Sequence, residues 1–151
     1  MMRDPAWGLK LTGKEGPNTV GAYVVEDDVT NIIIPGSQGS GATSVDRSNT
    51  ATVLRYKRDI DNRFTIGGLV TDREGGDYYN RVAGIDGDFR LSDSDRIFAQ
   101  VLVSDTRYPT DVAEEFDQTD GAFDDWAVDL LYSHETRTWS MWGLYRDIGE
   151  G

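Results

Sequence analysis

Apolar and polar residues alternate with a period of two through most of this chain, and the interruptions follow a fixed rhythm. Short turns fall near residues 14–18, 59–63, 91–96 and 133–138. Long polar loops run roughly over 26–49, 71–79 and 104–124. The segments between them are about ten residues long, the length of a strand that crosses a bilayer at a tilt. Tight connections on one side and wide ones on the other are the wiring of an outer-membrane β-barrel. Helical periodicity is nearly absent. Only residues 111–117 fit a short helical turn, inside a loop.

The alternation itself defines the strands. Trp7, Leu9 and Leu11 oppose Gly8, Lys10 and Thr12; Gly16-Pro17-Asn18 then supplies turn chemistry. Thr52, Leu54 and Tyr56 oppose Val53, Arg55 and Lys57. In the next two segments Phe64, Ile66, Gly68 and Val70 share a face, and Ala83, Ile85, Gly87 and Phe89 oppose Gly84, Asp86, Asp88 and Arg90. Residues 96–103 are apolar on both faces, which leaves their orientation open. Trp126, Val128, Leu130 and Tyr132 oppose Ala127, Asp129, Leu131 and Ser133, and Trp139, Met141, Gly143 and Tyr145 oppose Ser140, Trp142, Leu144 and Arg146. The expectation is all-β: an antiparallel up-and-down meander of eight long strands in four hairpins, one segment spanning 1–151.

Composition narrows the function classes. The net charge of −12 argues against a nucleic-acid partner. With no cysteine there is no disulfide framework and no thiolate chemistry. No apolar run approaches the roughly 20 residues of a spanning helix, and residues 32–35 come nearest. Residues 1–5 lack the apolar core of a secretory signal, so export would require a signal upstream.

Period two alone does not separate a membrane barrel from a soluble one, because either can have one apolar face. Strand length, loop asymmetry and aromatics near segment ends (Trp7, Tyr23, Phe64, Phe89, Tyr132, Trp139, Tyr145) favour the membrane. On that reading Lys10, Arg55, Lys57, Asp86, Asp88, Arg90, Asp129 and Arg146 face a lumen, where they are solvated or paired and tune which solutes pass.

Several strings carry a resemblance. They are Trp7-Gly8-Leu9-Lys10-Leu11-Thr12-Gly13-Lys14, Asn80-Arg81-Val82-Ala83-Gly84-Ile85-Asp86, Ser104-Asp105-Thr106 followed by Tyr108-Pro109, and Tyr145-Arg146-Asp147-Ile148-Gly149-Glu150-Gly151. Their order and spacing resemble a bacterial outer-membrane β-barrel domain of unknown function that usually follows a family-nine-like carbohydrate-binding module. The resemblance covers essentially the whole chain and implies residence in the outer membrane, with lipid as a partner. It also implies that the barrel continues beyond this segment. The resemblance takes in the barrel and not the carbohydrate-binding module, so no sugar-binding residue carries over. Members are sometimes labelled hydrolases, but no catalytic motif transfers.

The chemistry-bearing residues point weakly elsewhere. Asp86 with Asp88, or Glu114 with Glu115, could serve as an acid and base pair in glycoside hydrolysis; no catalytic assignment follows, because acidic loops are common without chemistry. Oxygen-rich clusters at 59–62, 92–95 and 117–125 suit calcium, with Asp117, Asp120, Asp124 and Asp125 the best set, although none completes an EF-hand loop. No other cofactor is expected. His134, the only histidine, reads as a surface turn residue beside Glu135. Residues 36–41 read as an external loop rather than a phosphate cradle. The leading function is a pore, transporter or surface scaffold. An alternative is a surface module gripping carbohydrate or a protein partner through Tyr78, Tyr79, Tyr108 and Phe116, and a second is a carbohydrate-active hydrolase. The outer strands, 7–14 and 138–147, are expected to be open edges.

Overall fold

A computed structural model describes residues 6–28, 30–34, 41–45 and 48–149. Eight strands form one antiparallel sheet: β1 (Trp7–Glu15), β2 (Asn18–Asp27), β5 (Asn49–Asp59), β6 (Phe64–Gly75), β7 (Tyr78–Arg90), β8 (Asp95–Arg107), β9 (Ala122–Glu135) and β10 (Ser140–Ile148). Each strand pairs with its neighbour in sequence, so the sheet is an up-and-down meander of four hairpins. Between β2 and β5 a separate hairpin, β3 (Thr30–Ile34) with β4 (Gly41–Val45), forms its own two-stranded sheet. Among the described residues a single short helix, α1 (Thr110–Glu115), lies between β8 and β9, where the helical turn was expected. No helix among the described residues is long and apolar enough to cross a membrane.

The four short turns lie where the sequence placed them, at one end of the sheet. At the other end one expectation is corrected. Residues 71–79 are not a long loop: β6 runs to Gly75 and β7 starts at Tyr78, leaving a two-residue connection. The strands continue through polar residues because those residues pair with each other. Arg81 Nε donates to Asp72 Oδ1 at 3.2 Å and Arg81 Nη2 lies 3.6 Å from Glu74 Oε2. The long 26–49 loop contains the β3–β4 hairpin. Residues 36–40 lie outside the described residues, and Gly41 opens β4.

The pairing register sorts the side chains into two faces, since successive residues of a strand point oppositely. One row of partners reads Leu11, Ala22, Leu54, Val70, Ala83, Val103 and Trp126. The adjacent row on the same face reads Gly13, Val20, Tyr56, Gly68, Ile85, Val101 and Val128. This apolar face lies open: Leu11 is 65% exposed, Leu54 49%, Val70 50% and Ile85 68%. The register also settles β8, whose Ile97, Ala99, Val101 and Val103 join the apolar face.

The charge-free part of that face is a band with edges. It runs from Ala83 to Phe89 beyond Arg81, from Ile97 to Val103 between Asp95 and Asp105, and from Trp126 to Tyr132 between Asp124 and His134. Four such residues span about 20 Å of strand, or about 15 Å of height at a tilt near 40°. The band also drifts across the sheet: Glu15, Asn18 and Arg58 share a row with Ile66, Gly87, Ala99 and Leu130. A level band on tilted strands drifts in this way relative to the hydrogen-bond rows.

The strands β1 and β10 end the sheet, each paired on one side only among the described residues, and all nine residues of each are exposed. These are the two open edges that the sequence predicts.

Candidate functional site: the charged face and its loop cap

All eight residues expected to line a lumen share the face opposite the apolar one. Lys10 pairs with Tyr23, which pairs with Val53 on the Arg55 and Lys57 face of β5. Lys57, Gly67, Asp86, Gln100, Asp129 and Arg146 form one continuous row. Asp88 and Arg90 follow Asp86 on the same face of β7.

The carboxylates on this face are held by guanidinium groups. Arg55 on β5 reaches across β6 to Asp86 on β7; its Nη2 donates to Asp86 Oδ1 at 2.7 Å and its Nη1 donates to Oδ2. The intervening strand contributes Gly67, and a Cβ there would stand 2.7 Å from Arg55 Nη2 and 2.9 Å from Asp86 Oδ1. Glycine is what lets the pair close over the strand. Arg96 grips Asp88 through both Nε, at 2.8 Å, and Nη2. Arg146 Nε donates to Asp129 Oδ1 at 2.6 Å. Two-pronged pairs of this kind fix both geometry and charge. Asp86 and Asp88 are therefore each occupied by an arginine, and Glu114 and Glu115 lie exposed on α1, away from both.

At the long-loop end the chain between β8 and β9 folds onto the charged face. Tyr78, Tyr108, Val112 and Ala113 are buried together, with Phe116 and Phe123 packed against them. Pro109 at the start of α1 is fully buried. Tyr108 and Phe123 rings lie 5.6 Å apart. Beneath them Asn80 Nδ2 donates to Thr106 Oγ1 at 2.7 Å, closing off two polar groups on that face. Burial, with a smaller contribution from Tyr78, pushes the Tyr108 phenol above its ordinary range.

This cap changes the reading of the four loop aromatics. Tyr78, Tyr108 and Phe116 are parts of its small core, not a free stacking surface. Tyr79 points to the opposite face, where its hydroxyl donates to Asp105 at 3.1 Å and the Arg81 guanidinium sits 4.7 Å from its ring centre. The four do not form one platform. Nor do the four aspartates converge as calcium ligands. Asp124 and Asp125 are consecutive in β9 and point to opposite faces. Asp125 Oδ1 accepts from the Trp126 backbone N–H at 2.7 Å. Among the described residues no three His, Cys, Asp or Glu gather to hold a metal ion.

His134 is also more than a bare turn residue. It lies in β9, its Nδ1 2.8 Å from Asp95 Oδ1 and its ring stacked on Trp139 with centroids 4.4 Å apart. Tyr132 donates to the same carboxylate at 2.6 Å. The signal that could have found this cluster is the spacing of Tyr132, His134 and Trp139 around a tight turn opposite Asp95. With the stacked pair Phe64 and Phe89, centroids 4.4 Å apart, it gathers aromatics at the short-turn end of the apolar face. Trp7 and Trp126 mark the long-loop end.

No family model matches the chain, and no curated protein matches it. A search of solved structures finds OmpTdeltaL8, the loop L8 deletion mutant of OmpT, an outer membrane protein of Vibrio cholerae. The two are 13% identical, with a TM-score of 0.60 over 95% of this chain. The match takes in 48% of that chain, so the present chain spans about half its length. The likeness is one of fold: eight antiparallel up-and-down strands arranged like part of the wall of an outer-membrane β-barrel.

Proposed function

We propose that this chain is a wall segment of an outer-membrane β-barrel that serves as a pore, transporter or surface scaffold. The observation that carries the reading is the inverted exposure of the sheet. Most of its exposed large apolar residues, Leu9, Leu11, Leu54, Val70, Ile85 and Val103 among them, share one face, while the charged residues pair with each other on the other, where Tyr23 and, on the edge strand β10, Trp142, Leu144 and Ile148 are also exposed. A water-soluble sheet would bury the first face and expose the second; a bilayer reverses this preference. The aromatic clusters at both ends of the band fit the two membrane interfaces. The charged face then lines a lumen, with the α1 cap at its mouth on the long-loop side. The unpaired edges of β1 and β10 require further strands to close the wall, since open edges are untenable in hydrocarbon.

Fractionation of the natural full-length protein tests this. Recovery in the outer membrane, with migration on a gel that changes on boiling, is expected. Full solubility without detergent would overturn it.

A further inference from the structure

The charges of the inner face are not evenly spread, and their arrangement names a class of solute. On β1, β2 and β5 that face carries Lys10, Lys14, Arg55 and Lys57, with acidic groups only at the strand ends, Asp27 and Asp59. On β7 and β9 it carries Asp86, Asp88, Asp125 and Asp129, with Arg90 at the short-turn end of β7. The three mid-wall carboxylates Asp86, Asp88 and Asp129 are each taken up by an arginine. On the basic side Arg55 is spent on Asp86, and Lys14 makes one long contact to Asp59 at 3.4 Å while its side chain stays 63% exposed. Lys10 and Lys57 are exposed and form no direct ion pair among those observed, Lys57 lying within electrostatic reach of Asp59 and Asp88. Between them β1 and β2 place Thr12, Thr19 and Gly21 on that face, with Tyr23 as the cross-strand partner of Lys10.

We propose that this strip is an anion-conducting lane, along which Lys10 and Lys57 attract small anionic solutes. The inference rests on the reading of the charged face as a lumen. Its physical basis is that a paired carboxylate contributes little field at a distance, whereas an unpaired ammonium beside low-dielectric walls raises the local concentration of counter-ions. The acidic loops sit outside the wall, and at physiological ionic strength their field falls off within about 8 Å.

The test is the reversal potential of the full-length protein in a planar bilayer under a potassium chloride gradient. The lane predicts a preference for chloride in the natural protein. It also predicts that the double variant Lys10→Glu, Lys57→Glu inverts the sign of the reversal potential. The milder Lys10→Gln, Lys57→Gln pair should move it part of the way and guards against misfolding of the reversal variant. Channels that conduct but prefer potassium, or whose reversal potential is unmoved by both variants, overturn the anion lane and leave the barrel standing. Absence of any conductance from protein correctly inserted in the membrane overturns the pore reading and the lane with it.

Discussion

Ile85→Arg is expected to destabilise the membrane-inserted protein by about 2–4 kcal/mol, the cost of a cationic side chain on the lipid face near mid-depth. Ile85 occupies the middle of the apolar band, with Ala83 and Gly87 on either side along β7 and Gly68 and Val101 as cross-strand partners. It is 68% exposed, so no packed core is lost and the charge itself is the perturbation. The same substitution at Ile97, in the row of Phe89 and Tyr132 at the edge of the band, should cost about 0–1 kcal/mol, because a side chain there can reach the interface. Denaturant titration in lipid vesicles measures both. In a water-soluble sheet the order would vanish, since replacing an exposed isoleucine by arginine is close to neutral there.

Asp86→Asn is the second large effect, expected at about 2 kcal/mol, the scale of a charge-assisted hydrogen bond lost with its partner left in place. Asp86 is only 9% exposed and Arg55 32%, so removal of the carboxylate strands a partly buried guanidinium. Removing both charges with Arg55→Met and Asp86→Leu should cost less than the single change, because no unpaired ion remains. Gly67→Ala perturbs the same bridge. It leaves both charges in place but puts a methyl where the bridge crosses β6, and should behave like a weaker Asp86→Asn. A double-mutant cycle on Arg55 and Asp86, measured by the same titration, gives the coupling directly. Zero coupling would mean that the bridge across Gly67 does not form.

The strands inside the apolar band were legible because hydropathy with period two reports directly on which face meets a nonpolar medium. Ala83 to Phe89 and Trp126 to Tyr132 were readable for that reason. Legibility ended where the strands leave the band. Asp72, Arg73 and Glu74 are polar on both faces, so no alternation marks them as strand. Their pairing with Tyr79 to Arg81 is set by charge and backbone hydrogen bonds instead. The orientation of β8 was hidden by Phe98 and Leu102 on the charged face. The structure shows that Leu102 fills the space over Gly84, whose Cβ, if it had one, would meet Leu102 Cδ2 at 2.2 Å. Cross-strand compensation of this kind depends on register, which a single sequence does not display.

The site residues divide in the same way. That Lys10, Arg55, Lys57, Asp86, Asp88, Arg90, Asp129 and Arg146 share one face follows from parity along each strand, and the register agrees. Which charge holds which was not readable, because Arg55 and Asp86 are 31 residues apart and meet across an intervening strand. The loop aromatics were the hardest. Tyr78 and Tyr108 stand at the ends of long polar stretches, which suggested exposure. They instead form the apolar seed on which α1 folds, and only the long-range contact of β7 with the loop after β8 creates it.

The sequence contains no cysteine, so single labelled cysteines can report which face of the sheet meets lipid. Single cysteines at Ile85, Val101 and Val128 on the apolar face, and at Thr12 and Gln100 on the charged face, can be spin-labelled in the protein inserted in lipid bilayers. Collision rates with dissolved oxygen, which concentrates in hydrocarbon, and with a water-soluble nickel complex then report each side chain's surroundings. Labels at 85, 101 and 128 are expected to favour oxygen and labels at 12 and 100 to favour nickel. Equal nickel access on both faces, or the reverse pattern, would contradict the face assignment.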